Sequence, residues 1–387
     1  MKWENAELSL IAEIGDGAHA SLKRVKSGIP YLTAKNITKN GISYSNIDFI
    51  SEETYEKYFK EKSNALTKPQ KNDILYSIIG SIGGVYCVKD EKIGISSSVA
   101  IIRANSELIF PQYLAYFLKS KFFEAQVQAI KGGVAQGFMS IEKLKNVNIL
   151  YPKNLDYQAK IVSILSAYDD LIESKQKQIK LLEEAAQRLY KEWFVDLRFP
   201  GYEDIPIING MPEGWEEEEI NKIFNIKYGK TLPTNKIKNS GKYPVYGANG
   251  IIGYYNQKNC NDYVVLITSR GNGSGEVSRT HDKEAFVTNN SFIIMPVNDL
   301  IKLPFTYQLM KTINFKRICT GSAQPQLTNK SINILKVVLP SDELVLKFCQ
   351  YTEIYYEKIE NLLSQNKRLI EARDRLLTKL MSGEIEV

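Results

Sequence analysis

The stretch IESKQKQIKLLEEAAQRLYKEWF, Ile172–Phe194, decides how this chain is built, because it returns 187 positions later as IENLLSQNKRLIEARDRLLTKLM, Ile359–Met381. Ile-Glu, Gln, Lys, Leu, Glu-Ala and Arg-Leu coincide in the two copies. A repeat at such a distance settles the architecture before any single element is assigned. In and before the first copy, apolar or small residues stand at Ile161, Leu165, Tyr168, Ile172, Ile179, Leu182, Ala186, Leu189 and Trp193. Their spacing alternates four and three, a coiled-coil seam interrupted by Lys175. The second copy carries Phe348, Thr352, Tyr355, Ile359, Leu362, Asn366, Leu369, Arg373, Leu376 and Leu380 in the same register. Asn366 is polar on that seam, which lowers stability but can fix register. A helix of about 40 residues is about 60 Å long. Two of them in one chain predict an antiparallel pair, a rigid spacer with a module at either end.

Working outward, the repeat extends upstream. GGVAQGFMS (Gly132–Ser140) and GSAQPQLTN (Gly321–Asn329) share one frame at an offset of 188. LKNVNILYP ends at Pro152 and INILKVVLP at Pro340, each a short helix or turn followed by an apolar strand. ILYSIIGSIGGVYCV, from Ile74, resembles VLITSRGNGSGEVS, from Val265: an apolar strand running into a Gly/Ser-rich turn. Trp3 and Trp215 open the halves at an offset of 212. The first half therefore carries about 25 extra residues before its glycine turn, expected within Asn46–Gln70. FPGYEDIPIINGMPEGW (Phe199–Trp215) is a Pro/Gly-rich linker. The predicted fold class is α+β, with two tandem α/β modules separated by two long antiparallel coiled-coil helices. The boundaries expected are 1–154 for the first module, 155–198 for its helix, 199–214 for the linker, 215–342 for the second module and 343–382 for the C-terminal helix.

Composition narrows the function. The chain has 387 residues, 43% of them hydrophobic, with no apolar run long enough to span a membrane and no signal-peptide pattern at MKWENAELS. Its four cysteines (Cys87, Cys260, Cys319, Cys349) form no CxxC pair, which fits a reducing cytoplasm. The charge of +6 is divided unevenly: residues 1–154 are net +5 and 215–342 net +6, whereas 155–214 are net −4 and 343–387 net −1. Two basic blocks suit a polyanion touched by both modules, or plain solvation of two surfaces. Catalytic chemistry is missing. The two histidines, His19 and His281, have no partner at metal-ligand spacing, and there is no GxxxxGK[ST] loop and no GxSxG elbow. GNGSGE (Gly271–Glu276) lacks nucleotide-loop spacing, and Asp342 and Glu343 are explained by the start of a helix.

Doubled in this order, the motifs resemble the specificity subunit of type I restriction–modification systems. The resemblance covers the whole chain and rests on the Pro152–Gln158 turn into a long helix, on MPEGW (Met211–Trp215), and on YPVYGANGIIGYY (Tyr243–Tyr255) followed by LITSRGNGSGEV. It implies a non-catalytic subunit whose two target-recognition domains each read one half of a bipartite site in double-stranded DNA. It implies helices that set the spacing and dock two adenine-methyltransferase (modification) subunits, with restriction motor/nuclease subunits joining them. No cofactor is expected in this chain; S-adenosylmethionine and ATP belong to the partners. The chain departs from the pattern at PSDELVLKFCQ, which lacks a Gln matching Gln158 and offers Gln350 instead.

DNA reading needs Lys, Arg, Asn, Gln and Ser near backbone that approaches closely. Lys35 and Asn36 lead in the first module, followed by Lys23 and Lys26; the second offers Arg270, Asn272 and Ser274 on a glycine-rich loop, and Arg279 just beyond. Gln136 and Gln324 occur in both halves. A residue shared by modules that read different bases suits a hinge between module and helix better than a base contact. Ser140 and Thr328 are placed to cap the short helices that follow. Two other classes compete with DNA recognition. A self-contained enzyme would need a cofactor loop or an acidic metal cluster, and a scaffold with two modules for protein partners would bind no duplex.

Overall fold

The computed structural model describes residues 2–38, 41–44, 46–61, 66–131, 138–321 and 325–387. Two long helices, Leu155–Tyr190 and Asp342–Met381, run through it. The chain folds as two compact units, and each takes a share of both helices: Met1–Glu173 with Asn366–Val387, and Ser174–Gln365.

In the first unit a four-stranded antiparallel sheet has the order Ala12–Asp16, Val99–Ala104, Ile74–Ser77, Val85–Cys87. Beside it a small sheet pairs Ile29–Leu32 antiparallel with Asp48–Ile50 and parallel with Gly94–Ile95. Trp3–Glu7 and Asn148–Pro152, the module's first and last strands, form a two-stranded antiparallel ladder. Alternation decides which residues are interior. Ile74, Tyr76, Ala100 and Ile102 face one core with Tyr113, Phe117 and Phe123, while Leu75, Val99 and Ile101 face the other with Tyr31, Tyr55 and Phe59. Ile161 and Leu165 of the first long helix share the former core with Leu377, Leu380 and Met381 of the second. Tyr157 Oη accepts from the Val387 amide, and Asp169 pairs with Arg373, so the two segments run antiparallel here.

The second unit repeats this plan. Its four-stranded sheet has the order Phe224–Tyr228, Ser291–Pro296, Val265–Thr268, Val277–Arg279. Its small sheet pairs Tyr243–Gly247 antiparallel with Gly250–Tyr255 and parallel with Phe286–Val287. Its ladder joins Glu216–Glu219 to Lys336–Leu339. One close approach shows how faithful the duplication is. A Cβ on Gly17 would lie 2.2 Å from the Ile95 carbonyl oxygen, and one on Gly229 would lie 2.3 Å from that of Thr288. Both glycines are required by a parallel crossing, Ala18 against Ser96 and Lys230 against Thr288. Tyr190 and Trp193 share this unit's core with Phe348, and Lys175 bonds to Gln365, again an antiparallel course.

Two expectations change in detail. The extra length of the first module is divided. From Ile50 to Ile74 there are 23 intervening residues against nine between Tyr255 and Val265, and these include the helix Glu52–Tyr58. A further 15 lie between Leu32 and Asp48 against two between Gly247 and Gly250, and they hold the Ile37–Thr38/Gly41–Ile42 hairpin. Only about half of the excess thus lies within Asn46–Gln70. The seam is also graded: Ile161, Leu165, Ile172, Ile359, Leu362 and Asn366 are buried, whereas Leu182, Leu189, Leu369 and Leu376 are half-buried. Asn366 keeps its amide oxygen buried without a hydrogen bond. Among the described residues no helix is long and apolar enough to cross a membrane.

Candidate nucleic-acid interface

In each module a glycine-containing turn follows an inner strand of the larger sheet. In the first unit Ser77 ends the strand Ile74–Ser77, and its hydroxyl donates to the Ser81 carbonyl and accepts from the Gly84 amide, both at 2.7 Å. Gly80 and Gly83 have φ of 74° and 105°, the left-handed region that lets the turn close without strain. In the second unit Thr268 holds the same place. Its amide donates to Glu276 at 2.9 Å, its carbonyl accepts from Gly275 at 2.8 Å, and its hydroxyl donates to the Ala248 carbonyl.

The described end of the twice-written loop packs along this turn in both units. The Met139 amide donates to the Ile78 carbonyl and the Leu327 amide to that of Ser269, each at 2.9 Å. Met139 and Leu327 are buried, and Ser140 and Thr328 cap the short helices that follow, Thr328 in a capping box with Ser331. The repeated frame therefore holds the glycine turn in place. Gln136 and Gln324, the expected hinge residues, lie outside the described residues.

The predicted DNA-contacting residues separate into two groups. Lys23, Lys26, Lys35, Arg270 and Asn272 are exposed. Asn36, Ser274 and Arg279 are not, and for these the expectation of a DNA contact is corrected. Asn36 is a turn clamp: its side-chain oxygen accepts from the Thr33 amide and hydroxyl, and its NH2 donates to the Ser43 carbonyl. Ser274 is buried within the glycine turn, where its amide donates to the Gly271 carbonyl. The Arg279 side chain is 2% exposed; it donates to Glu360 of the second long helix at 2.5 Å and lies over the Tyr356 ring at 4.9 Å. His281 meets the same carboxylate at 3.2 Å. Burial raises the Glu360 carboxyl, but the His281 hydrogen bond and the Arg279 charge prevail and hold it below the usual range. A strand-end arginine that looked free in sequence is thus a clasp to a helix 81 positions away. Arg24, inside the basic KRVK run, is likewise engaged, with Asp48 at 2.9 Å and over the Tyr31 ring.

Gln158 stands in the first turn of the long helix Leu155–Tyr190. It is fully buried, accepts from the Phe110 amide at 2.7 Å and donates to the carbonyls of Leu108 and Pro152. Gln350, its late counterpart, is exposed, so the second helix begins on Leu344, Val345 and Phe348 instead.

The family model for the type I restriction modification DNA specificity domain matches residues 1–184 and again residues 212–363. This chain belongs to that family. The family's domain confers specificity rather than catalysis, and the relatives bear the name of the specificity component. The type I restriction enzyme MjaIX specificity subunit of Methanocaldococcus jannaschii is 27% identical, over 100% of this chain and 94% of the relative. A putative type I specificity subunit of Mycoplasma genitalium, S.MgeORF438P, is also 27% identical, over 82% of each chain. In fold, the chain is similar to the crystal structure of the type I restriction–modification S subunit from M. genitalium, with a TM-score of 0.56 at 21% identity over 98% of this chain and 96% of that one. The match of the specificity-domain family to two separate stretches agrees with the duplicated sheet order. Ile79, Phe138 and Gln326 also stand at the glycine turns, and the sequence offset of 188 that relates the two loops aligns Phe138 with Gln326.

Proposed function

We infer that this specificity subunit reads a split, asymmetric site in double-stranded DNA, one half with each module. The observation that carries this reading is the presence of one module plan twice, in a family whose domain is defined by DNA specificity. Two modules joined by helix gain cooperativity through effective concentration when the joint spans the two half-sites. The long helices, 36 and 40 residues, are about 54 and 60 Å in length, against about 34 Å between successive major-groove faces of a duplex. In this reading the helices set the gap between half-sites and dock two modification subunits, to which motor/nuclease subunits add. S-adenosylmethionine and ATP are bound by those partners, and this chain positions the target adenines without touching the chemistry. Lys23, Lys26 and Lys35 in one module and Arg270 and Asn272 in the other contact the duplex.

Two measurements test it. Mobility shift of duplex DNA by the subunit together with modification subunits should weaken steeply as salt rises, because phosphate neutralisation releases counterions. Methylation mapping of cells with and without this chain should differ by one split methyladenine motif of fixed gap. Absence of duplex binding in the complete complex, with an unchanged methylation pattern, overturns the reading in favour of a protein scaffold.

A further inference from the structure

The turn held in place by the repeated loop carries one further pair of side chains in each module, and the two pairs have opposite chemistry. In the first unit Ile79 forms an isolated antiparallel bridge with Phe138; in the second Arg270 forms the same bridge with Gln326. The bridges are equivalent on three counts. Each begins two residues after the last strand residue, Ser77 or Thr268, and each is followed by a glycine in the left-handed region, Gly80 or Gly271. Each is also preceded by the same main-chain bond, from Met139 to Ile78 or from Leu327 to Ser269.

Burial does not account for the first pair. Ile79 is 40% exposed and Phe138 57%, two large apolar side chains bridged at a glycine turn whose neighbour Met139 is 1% exposed. Two exposed apolar side chains at a glycine turn do not contribute the burial that would hold the fold, and the second module has Arg270 and Gln326 at the same bridge. The duplication supplies the comparison: the main chain of the bridge is kept and its side chains are exchanged outright. That is the pattern of a position that presents chemistry rather than one that holds the fold.

Resting on the reading of each module as a DNA-recognition unit, we propose that this bridged pair is a specificity-determining position, apolar in the first module and hydrogen-bonding in the second. Arg270 and Gln326 suit a purine edge, since arginine pairs with O6 and N7 of guanine and glutamine with N6 and N7 of adenine. Ile79 and Phe138 offer no donor or acceptor, and the base feature they suit is the thymine C5-methyl, the one apolar group on a base edge in the major groove. The first half-site therefore contains thymine opposite this pair, and the second a purine read by Arg270 and Gln326.

The test uses the chain in complex with modification subunits and a random-sequence duplex library. Ile79→Arg with Phe138→Gln should change the selected bases in one half of the motif only. Arg270→Ile with Gln326→Phe should change the other half only. Replacing deoxythymidine by deoxyuridine, which removes the methyl alone, should weaken wild-type binding roughly 3- to 5-fold at the first half-site, the scale of one buried methyl group, and leave the Ile79/Phe138 variant indifferent. The bridge is made by main chain, and the single substitution Phe138→Gln serves if the double variant does not fold. A motif unchanged in both halves, a change in both halves from one variant, or wild-type binding indifferent to the methyl group overturns the inference. So does loss of the modification subunits from the Ile79/Phe138 variant, which would make the pair a protein contact. Wild-type complex that selects no motif at all counts instead against DNA recognition itself.

Discussion

Glu360→Ala tests the clasp that joins the second module to its helix. The substitution leaves Arg279, 2% exposed, with its guanidinium buried and its carboxylate partner gone. Breaking one side of a buried ion pair costs 3–5 kcal/mol in general, and the 16% exposure of Glu360 puts this case near the lower end, about 3 kcal/mol. The unit concerned, Ser174–Gln365, has 192 residues, for which 1 kcal/mol moves a melting midpoint by about 2–4 °C. Heat unfolding followed by near-ultraviolet circular dichroism should therefore show this unit's transition about 6–12 °C lower. Arg279→Met combined with Glu360→Leu removes both charges, and the paired apolar replacement should recover most of the loss. The pH dependence has a definite sign. Folding holds the Glu360 carboxyl below its ordinary value, so the unfolded chain binds more protons and stability rises with pH across that interval. The contribution is complete above about pH 4.3 and is lost as pH falls through the lower folded value; Glu360→Gln should erase that portion of the acid sensitivity. A Glu360→Ala protein that melts within about 1 °C of wild type, or a double variant as unstable as the single one, refutes the reasoning.

Three further outcomes follow from other contacts. Gln158→Leu orphans the Phe110 amide and the Leu108 and Pro152 carbonyls, and should cost about 3 kcal/mol in the first unit; hydrogen exchange at the Phe110 amide should speed up, and unchanged protection there would contradict the assignment. Arg373→Met removes the pairing with Asp169 at 2.6 Å and with Asp374 at 2.8 Å, both partly solvated, so about 1–2 kcal/mol is expected in the melting of the same unit. Burial pushes the Cys260 thiol up to about 11, so at pH 8 iodoacetamide should label half-buried Cys319 well before Cys260; equal rates would show that the small-sheet core opens readily.

The architecture was legible because it is written twice. Pro152 and Pro340, Trp3 and Trp215, and the paired Glu-Ala and Arg-Leu steps carry a register that chance does not produce. The seam was legible at Ile161, Leu165, Ile359 and Leu362, where the 4–3 spacing and burial coincide, and less so at Leu182 and Leu376, which half face solvent. The individual site residues were harder to read, for a physical reason. Whether a polar side chain is free or engaged depends on partners far along the chain. Arg279 looks like a loop cation until Glu360 is brought beside it, and Lys35 and Asn36 are adjacent in sequence yet one is exposed and the other closes a turn on Thr33 and Ser43. The equivalence of Ile79 with Arg270 was already present in the alignment of Ile74 with Val265; what the sequence did not carry is that these positions bridge to Phe138 and Gln326.

The ladder between a module's first and last strands has a consequence for change over time. Trp3–Glu7 lies beside Asn148–Pro152, and Glu216–Glu219 beside Lys336–Leu339, so the chain leaves each module where it came in. Everything between is an excursion bracketed by one pair of strands. Lengthening an excursion costs little, because loop-closure entropy grows only with the logarithm of length. The first module already illustrates this, carrying a hairpin and a helix that the second lacks while handing over to its long helix through an equivalent bracket. A bracket of this kind lets the contents of one module be rewritten, or exchanged entire for another's, without moving the point at which the helix begins.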